Sequence, residues 1–412
     1  MVDQSITGDL SQPALSYRWM ILSVLTVTQI GASIAALSFG PLAPFLQETL
    51  NMTRAQVGLC TSSLYLGCSL VAIPSGRLAD RIGVRLVLFI GPAMMALFFL
   101  AISRTTSHLM LWGLVLFAGI GYGVINPSTT KAIIYWFPVK GRATAFGVKQ
   151  SGVTAGAAIA AVMIPALCLS LGMRTAILLM GIIVMVLSVI CYILNRDFPE
   201  STDPADGKIR NQRGIRHVIT NRNIILLSLA NLLYSSLQLS LSTYLVLYLK
   251  EKILIPVVMA GVYLAVAQIC AGGGRVIWGV VSDRLFGGER KIVLVIIGII
   301  TTVTTLVMAV LTVTTPGWIL WAAVGLIGLS VLGRHGVSMI FVAELGGKDL
   351  AGTAAGVLAT IAYLGIIIGP PVFGYIVDRT GSYSLAWFVF AIASALATGI
   401  LLLIRTDHGM RE

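Results

Sequence analysis

The sequence predicts an all-α membrane protein in which twelve transmembrane helices form two pseudo-symmetric bundles of six. Of its 412 residues, 57% are hydrophobic and only 11% are charged, whereas a soluble domain carries about 25% charged residues. A spanning helix needs about 20 apolar residues, so the chain has room for about a dozen spans. An internal repeat of about 200 residues divides these spans into two sets.

Twelve apolar runs are separated by charged segments or by breaks that contain Pro or Gly. They cover residues 19–47, 55–75, 84–103, 108–136, 143–170, 174–195, 223–248, 256–281, 291–313, 317–343, 351–376 and 383–404. The first run is too long for the apolar region of a signal peptide, so we expect none. The predicted organisation is a tail at 1–18, a bundle at 19–195, a polar loop at 196–222, a bundle at 223–404 and a tail at 405–412.

The basic residues between the spans predict the orientation. With the N-terminus inside, the cytoplasmic segments hold 18 Lys and Arg, and the outer segments hold 6. Such an excess marks the cytoplasmic side. We therefore expect both termini in the cytoplasm and a multi-pass protein of the plasma membrane. The net charge of +12 is explained in this way, without nucleic acid as a partner.

The two halves carry similar loops. PSGRLADRIGVR (74–85) follows the second span, and WGVVSDRLFGGERK (278–291) follows the eighth. Asp80 and Asp283 are 203 residues apart, and GYIVDRTG ends the eleventh span as a third copy. Repeats of this length, with six spans each, are typical of two-fold transporter architectures.

These loops resemble the signature G-x-x-x-D-R-x-G-R-R of the major facilitator superfamily, and the resemblance covers essentially the whole chain. The matching residues are Gly76, Asp80, Arg81, Gly83 and Arg85, then Gly279, Asp283 and Arg284, and finally Asp378 and Arg379. The resemblance implies that these residues join neighbouring helices by charge pairs and help to hold the outward-open state. Two drug-antiporter signatures are missing, since Val115 replaces an arginine and the fifth span lacks a Gly-Pro pair.

Basic groups lie inside the spans, and acidic groups do not. Lys149, Arg275, Arg334 and His335 fall within predicted helices, whereas none of the 16 Asp and Glu lies in the middle of one. An unpaired buried cation is unfavourable by several kcal/mol. A mobile anion is the simplest compensation, so the pattern predicts an anionic substrate.

Arg275 is the strongest candidate for the substrate ligand. Its segment, AGGGRVIWGVVSDR, resembles the eighth span of the oxalate/formate antiporter and monocarboxylate transporter branches, in which the matching arginine binds the substrate carboxylate. The alternative is an arginine that donates to neighbouring carbonyls and braces its helix. Ala271 and Ala362 stand where those branches carry an aspartate or a lysine, which leaves the coupling and the number of substrate charges open.

Other polar residues complete the predicted site. Arg334 shares a helix face with Ser330 and Ser338, which favours it over His335 as the residue that faces the cavity. His335 can titrate near neutral pH, or it can be a packing residue. Lys149 faces either the cavity or a neighbouring helix. The remaining candidates are Gln150, Tyr122, Asn126, Asn231, Tyr234, Gln238, Gln268 and Tyr363.

Several of these candidates form polar stripes along their helices. Asn231, Tyr234 and Gln238 recur at helical spacing in the seventh span, and the first span carries Thr26 and Gln29. In lipid, such groups either hydrogen-bond to neighbouring helices or line a water-filled path. The sequence leaves both possibilities open for each residue.

These observations predict a secondary transporter that moves a small organic anion, above all a monocarboxylate, by alternating access. It would act as a monomer, by proton symport or anion exchange. The alternatives are a multidrug, sugar or sugar-acid permease, or a transporter-like receptor that does not transport. No GxxxxGK[ST] motif, nucleophile or metal cluster is visible, so we expect neither an enzyme nor a cofactor or metal.

Overall fold

The computed structural model describes residues 12–196 and 218–405, with no strand among them. The helices are α1 (Gln12–Ala36), α2 (Phe39–Leu50), α3 (Arg54–Ile82), α4 (Val84–Ile102), α5 (His108–Gly123), α6 (Ile125–Trp136), α7 (Val139–Leu171), α8 (Met173–Leu194), α9 (Arg222–Glu251), α10 (Val257–Arg284), α11 (Arg290–Val310), α12 (Gly317–Ile327), α13 (His335–Thr380) and α14 (Tyr383–Leu402). The all-α prediction is therefore confirmed for the described residues.

Eleven segments of the described chain are long and apolar enough to cross a membrane. The second predicted span, 55–75, is α3, which continues to Ile82. The last part of the tenth predicted span and the whole of the eleventh lie in α13, which is broken at Gly347 (φ +67°). The predicted connection between these spans was thus too long, because a single left-handed glycine suffices for the break.

The described end of the predicted polar loop 196–222 has local helical structure. Residues 218–220 are helical, and Asn221 caps α9 by accepting from the N–H groups of Asn223 and Ile224 at 3.0 and 3.3 Å. An asparagine at this position satisfies two amide groups that the first helical turn leaves without a partner. Residues 197–217 lie outside the described part of the chain.

Corresponding spans in the two halves are interrupted. The fourth span changes from α5 to α6 at Val124, and the tenth is interrupted by a π-helical turn at Gly328–Leu332. Irregular backbone at membrane depth is tolerated where it is buried in protein or lines a water-filled cavity. Both breaks lie beside polar candidates, with Tyr122 and Asn126 near the first and Arg334 near the second.

Close packing of α10 holds the π-helical turn. The indole N–H of Trp278 donates to the carbonyl oxygen of Leu329 at 2.9 Å. A Cβ on Gly274 would lie 2.5 Å from the same oxygen, whereas a Cβ on Gly273 would meet no heavy atom within 4 Å. Gly274 therefore sets the distance between α10 and the turn that precedes Arg334.

The two halves also pack closely on each other. A Cβ on Gly40 would overlap the carbonyl oxygen of Ser242, and one on Gly58 would lie 2.6 Å from Pro370. These contacts join α2 to α9 and α3 to α13. They lie towards the end of the molecule at which Arg54, Glu251 and Asp378 meet, which we call the closed end.

We predict that Gly274→Ala destabilises the protein, because the added methyl group must displace the backbone of the π-helical turn. Overpacking of this kind costs about 1–3 kcal/mol. The expected result is a lower midpoint of thermal unfolding for the detergent-solubilised protein. Gly273→Ala is the matched control and should leave the midpoint unchanged or raise it. Equal midpoints for the two variants would contradict this account of the packing.

Candidate substrate site

Asp378 caps a helix of the opposite half at the closed end. Its carboxylate accepts from the backbone N–H groups of Arg54 and Ala55 at 3.0 and 2.8 Å. Those amides begin α3, where the first turn has no intrahelical partners and the helix dipole favours a negative charge. The end of the eleventh span is therefore bonded to the start of the second.

The Arg54 side chain extends this contact. Its Nη2 lies 2.5 Å from the Glu251 carboxylate, and its Nη1 lies 3.4 Å from that of Asp378. Tyr383 donates its hydroxyl to Glu251 at 2.8 Å. Burial alone would lower the pKa of Arg54, but its bonds to Glu251 and Tyr383 outweigh this effect and raise the pKa. Arg54 consequently stays charged.

Further bonds between the halves lie near the same end. Tyr244 donates to the carbonyl oxygen of Arg54 at 2.6 Å. The hydroxyl oxygens of Thr61 and Thr243 are 3.0 Å apart, and Lys250 pairs with Glu48. A bond from Ser62 to the carbonyl of Ile367 completes the set. Together with the contacts of Arg54 and Asp378, these bonds join the two halves at the closed end.

The predicted gating residues fall into different environments. Asp283 pairs at 2.5 Å with Arg290, which also contacts Glu344 in the same half. Arg85 donates to the carbonyl oxygen of Tyr192 at 2.7 Å.

Gly83 has φ +86° and separates α3 from α4. Arg81 and Arg284 are exposed, Gly279 is partly exposed, and Arg379 lies over the ring of Tyr375. Gly76 and Asp80 lie outside the described side chains.

Only the third copy of the loop sequence bridges the halves among the described side chains. The resemblance implied contacts between neighbouring helices, and Asp283 makes such a contact within its own half. Asp378 instead contacts α3, which belongs to the other half. The same short sequence therefore makes an ion pair within one half at Asp283 and a bond between the halves at Asp378.

Arg334 is enclosed by polar groups of α9. It is 2% exposed, and its Nη1 donates to Asn231 Oδ1 and, at 3.3 Å, to Ser338 Oγ. Its Nη2 donates to Ser235 Oγ at 3.3 Å, and the guanidinium carbon lies 4.7 Å from the centre of the Tyr234 ring. Neutral groups thus accept from both terminal nitrogens, while its Nε is buried without a partner and no carboxylate pairs with it among the described residues.

Gln238 does not take part in this enclosure. The sequence placed it on the polar stripe of Asn231 and Tyr234, and it does lie on α9, one turn beyond Tyr234. Its side chain is partly exposed and makes no hydrogen bond among the residues that the structure describes. The hydrogen bonds of Arg334 reach Ser235 of α9 but not the next turn of that helix, which carries Gln238. The enclosure therefore excludes Gln238, and its part in substrate binding stays a prediction.

Arg275 has no such enclosure. Its Nε is buried and has no hydrogen-bond partner in the described part of the chain, and no ion pair involves it there. Tyr122 of the other half lies within electrostatic range of its guanidinium group. His335 lies within range of both Arg275 and Arg334. Three basic groups of the C-terminal half therefore converge where α10 passes the start of α13.

Lys149 supplies a basic group from the N-terminal half. The residue is fully buried, and its Nζ donates to Asn126 Oδ1 and, at 3.4 Å, to Gln150 Oε1. Asn126 lies just after the break in the fourth span, so the break brings an amide oxygen to the lysine. Neutral oxygens hold this charge, and no carboxylate of a described residue pairs with it.

Lys149 and Arg275 lie at a similar depth in opposite halves. Gly261 of α10 faces Ala161 of α7, while a Cβ on Gly272 would lie 3.6 Å from Thr154 Oγ1, so the two helices run antiparallel.

Measured from the contact between Gly272 and Thr154, Arg275 lies three residues further along α10. Lys149 lies five residues back along α7. Because the two helices run antiparallel, both residues lie on the same side of this contact. At a rise of about 1.5 Å per residue, their depths differ by about 3 Å. A single small molecule between the halves can therefore reach both helices at this level.

The other predicted polar residues lie at contacts between helices. The rings of Tyr363 and Tyr65 are 6.3 Å apart across the interface between the halves. Gln268 Nε2 approaches Ser242 Oγ at 3.5 Å. Tyr234 directs its hydroxyl to Thr398 at 2.8 Å, so that its ring remains against Arg334.

Ser33, which the sequence interpretation did not select, also belongs here. Gln29 of α1 donates to Ser33 Oγ at 3.2 Å, and Ser33 Oγ lies 3.4 Å from the Tyr122 hydroxyl. A signal was present, because an amide followed four residues later by serine recurs at Asn231 and Ser235, 202 residues on.

The described residues contain no group of three or more His, Cys, Asp or Glu that could hold a metal ion. Of the five cysteines, all are free; Cys60, Cys68, Cys168 and Cys191 are buried, and Cys270 is partly exposed. The features that distinguish the site are therefore permanent positive charges, amides and hydroxyl groups. Such groups are suited to binding a small polar anion.

A model of the Major Facilitator Superfamily matches residues 25–370, and the chain belongs to this superfamily. It is 25% identical over 372 residues to the hexuronate transporter of Bacillus subtilis, in an alignment that covers 86% of both chains. It is 24% identical over 390 residues to a probable sulfoacetate transporter of Cupriavidus necator, with 90% of both chains covered.

Solved structures have the same fold. A bacterial homologue of the human lysosomal transporter Spinster, in an inward-facing and occupied conformation, superposes with a TM-score of 0.77. The identity is 17%, over 94% of this chain and 97% of that one. A nucleoside transporter superposes with a TM-score of 0.76 at 16% identity, over 95% of this chain and all of the other. The prediction of a major facilitator fold is thus confirmed.

We predict that Asp378→Asn opens the closed end. The amide removes a negative charge from the start of α3 and weakens the bonds to both backbone N–H groups, which is worth about 1–2 kcal/mol. The measurement is the rate at which a bulky maleimide labels a Thr61→Cys variant in detergent, and we expect the rate to rise about tenfold.

Asp283→Asn is the matched control, because it removes a carboxylate from the same short sequence but from an ion pair within one half. It should leave the labelling of Thr61→Cys unchanged. If Asp378→Asn labels no faster than this control, Asp378 does not hold the halves together.

Proposed function

We propose that this protein is a secondary transporter of small organic acids and that Arg275 is the main ligand of the acid group. The observation that carries the proposal is the contrast between two arginines. The Nε of each arginine is buried without a partner among the described residues. The terminal nitrogens of Arg334 donate to Asn231, Ser235 and Ser338, whereas no hydrogen bond between described residues involves the Arg275 side chain. A guanidinium group with free donors is suited to bidentate binding of a carboxylate.

The remaining basic groups support an acid in this position. Arg334 and Lys149 are basic groups in the protein interior, and their hydrogen-bond partners are neutral. The potential from both groups attracts an anion, and neither needs to release a partner to do so. We infer that they stabilise the bound acid through the field they create, while Arg275 makes the direct bonds.

The named relatives support the class of substrate. Both the hexuronate transporter and the probable sulfoacetate transporter are named for organic acids. A monocarboxylate remains our first expectation, because one arginine with free donors matches one carboxylate. A sugar acid is the second candidate, and it is favoured by the amides and hydroxyl groups at Arg334 and Lys149 and by the names of the relatives. Sulfoacetate carries two acid groups, for which Lys149 is the second cation in reach.

We further propose that transport proceeds by alternating access between bundles at 19–195 and 223–404. In the predicted orientation, with both termini in the cytoplasm of a plasma-membrane protein, the closed end faces outward. The acid then reaches Arg275 from the cytoplasmic side in this state. Proton symport and anion exchange are both compatible with a site that contains His335 and no described carboxylate. A monomer suffices, because both halves of the site come from one chain.

We predict that Arg275→Ala abolishes binding and uptake of organic acids. The measurement is uptake of radiolabelled lactate and D-galacturonate into proteoliposomes, together with thermal shifts caused by acetate, lactate, sulfoacetate and D-galacturonate. Arg275→Lys keeps the charge but loses the bidentate geometry, so it should retain weak binding, reduced at least tenfold.

Arg104→Ala is the control, because Arg104 is exposed beyond the end of α4. It should transport as the wild type does. Unchanged uptake in Arg275→Ala, with the protein folded as judged by its unfolding midpoint, would overturn the role of Arg275. A wild-type protein that binds sugars or organic cations but no acid would overturn the proposed function.

A further inference from the structure

Two buried amide–serine pairs occupy corresponding positions in the two halves. Gln29 and Ser33 lie one turn apart in α1, and Asn231 and Ser235 lie one turn apart in α9. Each residue is 202 positions from its counterpart. Gln29 and Asn231 are both only 1% exposed. The internal repeat of the fold therefore places the same pair of functional groups on each side of the interface.

The pair in the C-terminal half is occupied by a side chain of the protein. Asn231 Oδ1 accepts from Nη1 of Arg334, and Ser235 Oγ accepts from Nη2 at 3.3 Å. Both acceptor atoms thus have a donor, and that donor comes from the interrupted tenth span. The C-terminal half thus shows that an amide–serine pair can bind a group that presents hydrogen-bond donors.

The pair in the N-terminal half is incomplete. Gln29 Nε2 donates to Ser33 Oγ at 3.2 Å, and Ser33 Oγ is 3.4 Å from the Tyr122 hydroxyl. Gln29 Oε1, however, is buried and has no donor in the described part of the chain. A buried acceptor without a donor is unfavourable. The fourth span, which corresponds to the tenth, supplies a tyrosine here and no guanidinium group.

Helix packing fixes the position of this free oxygen. A Cβ on Gly152 of α7 would lie 3.4 Å from the Cβ and Cγ of Gln29, and one on Gly156 would lie 2.8 Å from the Cβ of Ser33. The two glycines let α7 cover one side of the pair closely. On another side lies Tyr122, whose ring is within electrostatic range of Arg275.

Tyr122 is hydrogen-bonded to the amide–serine pair and faces the half that carries Arg275, so we infer that a molecule whose acid group binds Arg275 can extend to this pair. Gln29 Oε1 can only accept a hydrogen bond, while the hydroxyls of Ser33 and Tyr122 can donate and accept. A hydroxyl group matches this set, because it donates one hydrogen bond and accepts others. A methylene group at the same place would leave the Gln29 oxygen without a donor.

We propose that Gln29, Ser33 and Tyr122 form a subsite for a hydroxyl group of the transported acid, so that the protein selects hydroxylated carboxylates over their deoxy analogues. The inference rests on the proposed function, because the carboxylate on Arg275 brings the hydroxyl group to the subsite. Gln29 is thus a residue that determines specificity, and it acts from the half opposite to Arg275.

The test compares acids that differ in one hydroxyl group. Dissociation constants of butyrate and of 2-, 3- and 4-hydroxybutyrate are measured by calorimetry with the purified full-length protein. The three isomers place the hydroxyl at increasing distances from the carboxylate. For the wild type, we expect at least one isomer to bind tenfold or more tightly than butyrate. In Gln29→Met, which keeps the length of the side chain without its polar atoms, this ratio should fall to within about threefold of unity.

Two further variants accompany Gln29→Met. Thr28→Val changes the adjacent buried residue, whose hydroxyl donates to the Val24 carbonyl within α1, and it should keep the wild-type ratio. Tyr122→Phe removes one hydroxyl from the subsite and should lower the ratio even if Gln29→Met fails to fold. The midpoint of thermal unfolding confirms that each variant is folded.

The outcomes separate this inference from the proposed function. Equal affinities for butyrate and all three isomers in the wild type would overturn the subsite. So would an unchanged ratio in both Gln29→Met and Tyr122→Phe. If Arg275→Ala loses all four acids under those circumstances, the proposed function stands without the subsite. A wild-type protein that binds none of the four acids would overturn the subsite, and one that also fails to bind acetate, lactate, sulfoacetate and D-galacturonate would overturn the proposed function as well.

Discussion

The placement of permanent positive charge in an apolar interior is the constraint on which the rest of this structure depends. Arg275, Arg334 and Lys149 lie inside spans, and no carboxylate of a described residue pairs with them. Removing such charges from water is costly unless hydrogen bonds or an opposite charge compensate. This compensation differs among the three residues. Amide and hydroxyl oxygens accept hydrogen bonds from Arg334 and Lys149, whereas donors of Arg275 have no partner among the described residues. That inequality is the basis of the proposed site.

The breaks in the fourth and tenth spans make this arrangement possible. A regular helix satisfies its own backbone and presents side chains at fixed angles, so it brings few polar groups to one point. At Val124 and at Gly328–Leu332 the helix axis is interrupted, and Asn126 and Arg334 turn towards partners on other helices. Close glycine contacts, such as Gly274 with Leu329, keep the interrupted segments in place.

Closure of the molecule depends on a different set of groups from ligand binding. The bonds between the halves involve a helix start, a carboxylate and Arg54, and they lie well away from Arg275. The bonds that close the molecule and the proposed substrate ligands are therefore separate groups. Asp378 and Asp283 also show that one short sequence can make an interaction between halves in one place and within a half in another.

The sequence by itself determined the membrane class, the helical architecture, the repeat and the basic residues within the spans, because hydropathy and spacing are local properties of the chain. It also indicated Arg275 by resemblance. Only the tertiary structure decided that Arg334 is enclosed, that Arg275 has free donors, that Asp378 crosses to the other half and that Gln29 has an unpaired oxygen. These properties depend on contacts between helices whose residues lie 89 to 324 positions apart in the sequence. Helix periodicity specifies which face of a helix is buried but not which partner covers it.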